Sequence, residues 1–181
     1  DMAEAGKLKT VNVTSTTDLV SVGNIGGASK NNTTDALNIT VSAAKAATLG
    51  TVGAGADGKL GDISVTATNG LLTAGEINGT DAGTITLTST NGGIKGVTGA
   101  ITVADATGVT VNMTAKTFIN ATGLTGGAVI AVGNTGGNIT ASVAGAAAAK
   151  VNYTVATKGV VNLTATNTGG LASTVTNAGT I

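Results

Sequence analysis

Two ten-residue stretches with the same pattern decide how this sequence folds. GDISVTATNG occupies residues 61–70, and GTITLTSTNG follows 22 residues later at 83–92. Each stretch begins with glycine, continues with alternating apolar and polar residues, and ends in Asn-Gly. Alternation with a period of two predicts a β-strand with one buried face, and Asn-Gly predicts a turn after it, at residues that tolerate positive φ.

The two stretches belong to a longer series of tripeptides, in which Asn, Asp or Thr precedes an apolar residue and then Thr or Ser. The seven copies begin at Asn12, Asn38, Asp62, Thr84, Asn112, Asn138 and Asn162. The steps between copies run from 22 to 28 residues and average 25. Repetition at a near-constant step is typical of architectures built from stacked units. The sequence therefore predicts a single repetitive β domain over residues 1–181.

Each repeat is predicted to contain two or three short strands with one apolar face. The central residues of the seven copies, predicted to share that face with the residues two positions later, are Val13, Ile39, Ile63, Ile85, Met113, Ile139 and Leu163. Asn, Thr and Ser occupy the opposite face. Further strands are predicted over residues 19–22, 71–77, 100–103, 129–132 and 151–155. The one helix signal is AGAAAAK at residues 144–150.

Two architectures fit strands that recur at this step. One is a parallel β-solenoid of about seven coils of about 25 residues, in which equivalent strands stack about 4.8 Å apart. The other is a β-sandwich, which also has short strands with turn signals every 8–12 residues. The near-constant step and the small interchangeable residues favour the solenoid, and the drift in the step keeps the sandwich as the alternative.

The composition excludes several classes of function. The chain has no Cys and no His, and only 10% of its residues are charged. Without Cys there is neither a disulfide nor thiol chemistry. Nine scattered lysines do not form the clustered basic surface that nucleic acid requires. No stretch approaches the roughly 20 apolar residues of a membrane-spanning helix. The sequence therefore predicts neither a nucleic-acid partner nor a membrane span.

The charges are distributed unevenly along the chain, although they sum to zero. Residues 1–105 contain all nine carboxylate side chains and six lysines, whereas residues 106–181 contain three lysines only. Opposite charge on the two halves favours head-to-tail neighbours, by an amount that salt screens.

Catalysis is not predicted. Asp57, Asp62, Glu76 and Asp81 are close enough in sequence to place two carboxylates on neighbouring coils, which is what glycosidic cleavage uses. Solvated turn residues explain the same four acids. The sequence contains none of the His, Cys and Arg side chains that most often act as base, nucleophile and oxyanion clamp. We therefore predict no enzyme and no catalytic, cofactor-binding or metal-binding residues.

Several stretches resemble the repeats of known surface proteins. KLKTVNVTST (7–16), ALNITVSA (36–43) and GVVNLTATNTGG (159–170) are similar to repeats of proteobacterial S-layer proteins and of related RTX-associated surface proteins that type I systems secrete. The opening pair also resembles haemagglutinin-type exoprotein repeats, which are β-helical. The resemblance implies a secreted, self-assembling protein of the cell surface that depends on Ca²⁺. The calcium-binding nonapeptide of these families is missing here, and Asp57, Asp62 and Asp81 are the nearest substitutes.

The function expected from these features is structural. A chemically inert chain of stacking coils is predicted to be a segment of a larger extracellular assembly, with other copies of itself and cell-surface polysaccharide as partners. The alternatives are an adhesin stalk or an ice-binding solenoid. The ice-binding alternative rests on Thr84, Thr86, Thr88 and Thr90, which would line one strand face. That array is expected to weaken at Lys116 and Ala141.

Overall fold

The computed structural model of the chain describes residues 9–25, 36–53, 60–78, 83–97, 103–104, 110–125, 129–134, 138–144, 150–155, 161–165 and 172–177. Side-chain surroundings are described for 9–25, 36–53, 60–77, 83–97 and 112–120. In chain order the strands are β1 (Thr10–Ser15), β2 (Val20–Val22), β3 (Leu37–Ala43), β4 (Ala47–Leu49), β5 (Val52–Gly53), β6 (Leu60–Ala67), β7 (Leu72–Ala74), β8 (Ile77–Asn78), β9 (Thr84–Ser89), β10 (Ile94–Gly96), β11 (Val103–Ala104), β12 (Thr110–Ala115), β13 (Phe118–Thr125), β14 (Val129–Asn134), β15 (Asn138–Ala144), β16 (Lys150–Val155), β17 (Val161–Ala165) and β18 (Ala172–Asn177).

The strands form three parallel sheets. The eight-stranded sheet has the order β1-β3-β6-β9-β12-β14-β16-β18, and the seven-stranded sheet has the order β17-β15-β13-β10-β7-β4-β2. A short third sheet has the order β11-β8-β5. The chain alternates between the two large sheets, which gives seven successive coils, and β18 is the first strand of an eighth coil. This is the predicted parallel β-solenoid, and the antiparallel sandwich is excluded.

The described coils contain two or three strands each, as predicted. The coil of β3, β4 and β5 contributes to all three sheets, whereas the coil of β12 and β13 contributes to the two large sheets. Parallel pairing places equivalent residues of successive coils side by side. Ile63, for example, pairs with Ile85 of the next coil, and Leu72 pairs with Ile94.

The core is a set of apolar columns that run along the stack. Ile39, Ile63 and Ile85 form one column of the eight-stranded sheet, and all three are at most 1% exposed. The third sheet adds a column of Val52 and Ile77, both completely buried. Each coil buries its apolar residues against the coils above and below it, which a single coil could not do.

The core narrows where the eight-stranded sheet turns toward the seven-stranded sheet. The last inward residues of β3, β6, β9 and β12 are Ala43, Ala67, Ser89 and Ala115, and each is at most 2% exposed. Ser89 satisfies its buried hydroxyl by donating to the carbonyl oxygen of Gly70 at 2.8 Å. The corner therefore accommodates only small side chains.

The register of the stack differs from the alignment of the tripeptides in two places. Val11, rather than Val13, pairs with Ile39, and Val111, rather than Met113, pairs with Ile85. Both differences are shifts of two residues, and a shift of two leaves every side chain on its predicted face. The buried faces of the first five copies are therefore as predicted, although two of the four pairings between these copies are not.

The last two tripeptides lie in a different sheet from the first five. Asn138 begins β15 and Asn162 lies in β17, both in the seven-stranded sheet. The reason is that the coils shorten toward the C-terminus: Val111 pairs with Ile130, only 19 residues later. A near-constant spacing of similar tripeptides therefore does not mark equivalent positions throughout the stack.

The remaining predicted elements agree with the structure in part. The predicted strands at 129–132 and 151–155 correspond to β14 and β16. Of the predicted strand at 100–103 the structure describes Val103, which begins β11. Of the segment with the helix signal, Ala144 ends β15 and Lys150 begins β16, and residues 145–149 lie outside the described residues.

Candidate functional site

The outer surface of the eight-stranded sheet is the candidate functional site. Alternation in β1, β3, β6, β9 and β12 directs apolar side chains inward, which leaves Thr, Ser and Asn on the outer surface. We call two columns of this surface the polar face, and its ten residues are Asn12, Thr14, Thr40, Ser42, Ser64, Thr66, Thr86, Thr88, Asn112 and Thr114. All ten are exposed or half-buried. The outward residues at the start of the strands, among them Thr10, Asn38, Asp62 and Thr84, border the polar face.

The polar face is ordered in two directions. Ser64 pairs with Thr86, and Thr66 pairs with Thr88, so that side chains of neighbouring coils stand side by side. The same pairing continues from Thr88 to Thr114 of the next coil. Neighbouring strands are about 4.8 Å apart, and alternate residues along a strand are about 6.7 Å apart. The face is thus a grid of two columns and five rows.

The electrostatic character of the polar face is neutral, because none of its ten side chains ionises. Charged residues lie beside it at both ends of the strands: Asp62 is exposed at the start of β6, and the others lie at the corner where the chain leaves the eight-stranded sheet. Lys45 Nζ lies 3.1 Å from a carboxylate oxygen of Asp18, and Lys116 Nζ donates to Asn91 Oδ1 at 3.4 Å. The grid therefore presents hydroxyls, methyl groups and amides, with charge confined to its border.

The predicted threonine array is present in part: Thr84, Thr86 and Thr88 lie in β9, whereas Thr90 follows the end of that strand. The predicted limits of the array are wrong. Lys116 follows β12 and lies at the corner, so it does not interrupt the polar face. Ala141 belongs to β15 of the seven-stranded sheet and is not part of the face. The columns change composition at β14 instead, where Ala131 and Gly133 are the register partners of Asn112 and Thr114.

A ladder of side-chain oxygens, which the sequence patterns did not predict, connects neighbouring coils at the start of the strands. Asn38 Oδ1 accepts the backbone N–H of Asp62 at 2.9 Å, and Asp62 Oδ1 in turn accepts that of Thr84 at 2.8 Å. Asn24 Oδ1 accepts the backbone N–H of Thr51 at 2.8 Å in the same manner. These side-chain oxygens satisfy backbone N–H groups that have no acceptor in the hydrogen bonds between strands.

The ladder explains why both opening stretches begin with glycine. A Cβ at Gly61 would collide with Asn38 Oδ1, and a Cβ at Gly83 would lie 2.5 Å from Asp62 Oδ1. Only a residue without a side chain lets the oxygen of the preceding coil approach the next backbone N–H. The sequence signal is a glycine at the start of the strand. The residue after that glycine donates its backbone N–H to an Asn or Asp that lies 22–24 residues earlier in the sequence.

The Asn-Gly ends of the two stretches also stack on each other. Asn91 Nδ2 donates to Asn69 Oδ1 at 2.9 Å, and Asn69 Nδ2 donates to the carbonyl oxygen of Ala44 at 3.2 Å. A Cβ at Gly92 would collide with the carbonyl oxygen of Gly70. Neither glycine has a φ in the left-handed region. The chain bends at both Asn-Gly pairs, as predicted, but positive φ is not what requires glycine here. Close approach between coils is the reason for glycine.

The predicted acidic candidates do not come together in the described part of the chain. Asp62 is exposed and has one carboxylate oxygen engaged by Thr84, and Glu76 is exposed between β7 and β8. Asp57 and Asp81 lie outside the described residues. No group of three or more His, Cys, Asp or Glu side chains forms among the residues described.

The chain has two aromatic residues, Phe118 and Tyr153. The ring of Phe118, which is half-buried, lies against Gly93 so closely that a Cβ there would overlap it. Phe118 is therefore a packing residue between coils and does not belong to the polar face. The side chain of Tyr153 lies outside the described surroundings.

Asp18 lies at the border of the polar face, and its contacts in the folded chain change its pKa. The backbone N–H of Leu19 donates to its carboxylate at 2.9 Å, and the Lys45 ammonium adds a hydrogen bond and a positive charge. Together these interactions hold the pKa of Asp18 below its ordinary value. Both side chains of the ion pair are well exposed, so the effect on stability is small.

The pH dependence of stability should carry a small contribution from Asp18. Because the folded-state pKa is lowered, this contribution is complete above the ordinary carboxylate pKa and is lost as the pH falls through the folded value. We expect Asp18→Asn to remove the loss of stability at low pH that comes from Asp18. Lys45→Met should remove only the part of that loss that comes from the interaction of Lys45 with Asp18. Thermal unfolding measured from about pH 6 to about pH 2 tests this. Identical pH profiles for Asp18→Asn and the parent chain would contradict it.

Comparison of the chain with models of protein families, with curated proteins and with solved structures finds no match. Within the described residues, no helix is long and apolar enough to cross a membrane. The fold and the polar face are therefore the two features of the chain that bear on its function.

Proposed function

We propose that this chain is a structural building block of an extracellular surface assembly, in which copies stack end to end through the strands that end the eight-stranded sheet. The observation that carries the proposal is the form of those two strands. Within the described stack, β1 and β18 each pair with a strand on one side only. Both are six residues long, and neither contains a charged residue or proline. Charges and prolines are the usual means by which edge strands avoid pairing with other chains.

The two end strands are also compatible in register. Suppose that β1 of one copy takes the place of the next coil after β18 of another copy, in the register that continues the columns. Thr174 then lies beside Asn12, and Thr176 lies beside Thr14. The columns of Thr and Asn then continue across the junction. The acidic first part and basic last part of the chain favour the same head-to-tail order.

The backbone geometry of β1 identifies a variant that tests the junction. The carbonyl oxygens of Lys9 and Ser15 accept hydrogen bonds from residues of the next coil, at 2.9 and 3.0 Å. Since successive backbone groups of a strand point to alternate sides, the N–H of Asn12 is directed away from β3. Proline at position 12 therefore removes a donor from the free edge without removing a bond between β1 and β3.

The test is negative-stain electron microscopy of the purified chain, with calcium and with a chelator. We expect filaments or sheets from the parent chain and from Asn12→Ala, which keeps the backbone donor, and single short rods from Asn12→Pro. Loss of order on chelation alone would support the Ca²⁺ dependence that the family resemblance implies. Single rods from the parent chain in both conditions would overturn the proposal and favour the adhesin stalk.

A further inference from the structure

We infer that the polar face binds ice, by ordering a layer of water on its grid of hydroxyl and methyl groups. The grid has Thr, Ser or Asn at all ten positions, in register over five coils. The inference concerns the outer surface of the sheet, whereas the proposed assembly concerns its ends, so it does not rest on that proposal.

The spacing of the grid fits a water lattice. In a tetrahedral network with oxygens about 2.8 Å apart, second-neighbour oxygens are about 4.5 Å apart. Neighbouring strands hold equivalent side chains about 4.8 Å apart, which is close to that distance. The pairs Ser64–Thr86 and Thr66–Thr88 repeat this spacing on two parallel columns. Water molecules bound by successive hydroxyls can therefore belong to one ordered layer.

The side chains of the grid are held in place. Ser64, Thr66, Thr86 and Thr88 are half-buried by their neighbours, although their side chains point outward. Threonine is branched at Cβ, which restricts its χ1 rotamers. Each threonine also offers a methyl group beside its hydroxyl, so that part of the face is apolar. Such a surface can order water before ice arrives, which reduces the entropy lost on binding.

The properties of the face argue against a protein or a sugar as its occupant. Its area is on the order of 300 Å², whereas a standard protein interface buries about 800 Å² per partner. None of its ten residues is one of the Trp, Tyr or Arg anchors that dominate protein interfaces. Phe118, the described aromatic residue, packs against Gly93 and is not on the face. A neutral, regular lattice of water matches both the lack of charge and the regular spacing.

The test is inhibition of ice recrystallisation, together with capture of the labelled chain on a growing ice surface. We expect activity from the parent chain. We expect loss of activity in Thr66→Lys, which places a long charged side chain in the middle of the grid. Thr66→Ser keeps a hydroxyl and should retain part of the activity.

The matched control lies on the other large sheet. Thr73 is half-buried and lies between Thr48 and Lys95 on the outer surface of the seven-stranded sheet. Thr73→Lys makes the same chemical change and should leave ice binding unchanged. Circular dichroism of both lysine variants shows whether they are folded. No inhibition and no capture by the folded parent chain, or equal loss in Thr66→Lys and Thr73→Lys, would overturn the inference. Either result leaves the proposed end-to-end assembly untouched.

Discussion

Replacing Ile63 by Asp is expected to unfold the central coils, whereas replacing the adjacent Ser64 by Asp leaves them folded. Ile63 is completely buried between Ile39 and Ile85, with no polar partner for a carboxylate. An unpaired buried charge destabilises by more than about 4 kcal/mol, which is a large part of the stability of a domain. Ser64 is half-buried on the outer surface of the same strand, where a carboxylate remains in contact with water.

Circular dichroism and chemical denaturation of the two variants measure this difference. We expect Ser64→Asp to keep a cooperative transition and the β-sheet spectrum of the parent chain. Ile63→Asp should lose the transition, or show it at much lower denaturant. Comparable stability of the two variants would mean that the faces of β6 are assigned incorrectly.

Replacing Gly92 by Ala is expected to destabilise the stack by about 1–3 kcal/mol, which is the range for overpacking a close contact. The added Cβ would collide with the carbonyl oxygen of Gly70 and lie 2.6 Å from its carbonyl carbon. Both are backbone atoms of Gly70, so no side-chain rotation can relieve the overlap. The free energy of unfolding from denaturant titration measures the loss.

The control for Gly92→Ala is Thr90→Ala, two residues earlier at the same corner. Thr90 is exposed, so its truncation should change the free energy of unfolding by less than about 0.5 kcal/mol. A Gly92→Ala chain as stable as Thr90→Ala would show that the two coils are not in close contact at this corner.

The sequence was sufficient to predict the solenoid and the inward face of its strands, but not the pairing between coils. Period-two alternation identifies Ile63 and Ile85 as buried whichever partner each has. The same period makes a register shift of two residues invisible, because Val11 and Val13 are equally suitable neighbours for Ile39. Pairing is decided by coil length, and coil length depends on corner residues that follow no simple pattern.

The polar face was predictable where its residues recur locally, as in Thr86 and Thr88. Its extent was not, because the tripeptides at Asn138 and Asn162 move to the other sheet when the coils shorten. The ladder of side-chain oxygens at the start of the strands was not predicted, for a similar reason. Asn38 and Asp62 are 24 residues apart, and only the stacked structure shows that one accepts a hydrogen bond from the other.

The measurement that tests the stacking most directly is disulfide formation between neighbouring coils. The chain contains no cysteine, so each introduced pair reports on itself alone. Ser64→Cys with Thr86→Cys places two thiols at paired positions with Cα atoms about 4.8 Å apart, within disulfide range. Ser64→Cys with Thr88→Cys is offset by two residues, at about 8 Å, beyond that range. We expect the paired variant to oxidise within the monomer and the offset variant to stay reduced. Oxidation of the offset pair alone would contradict the register on which the polar face depends.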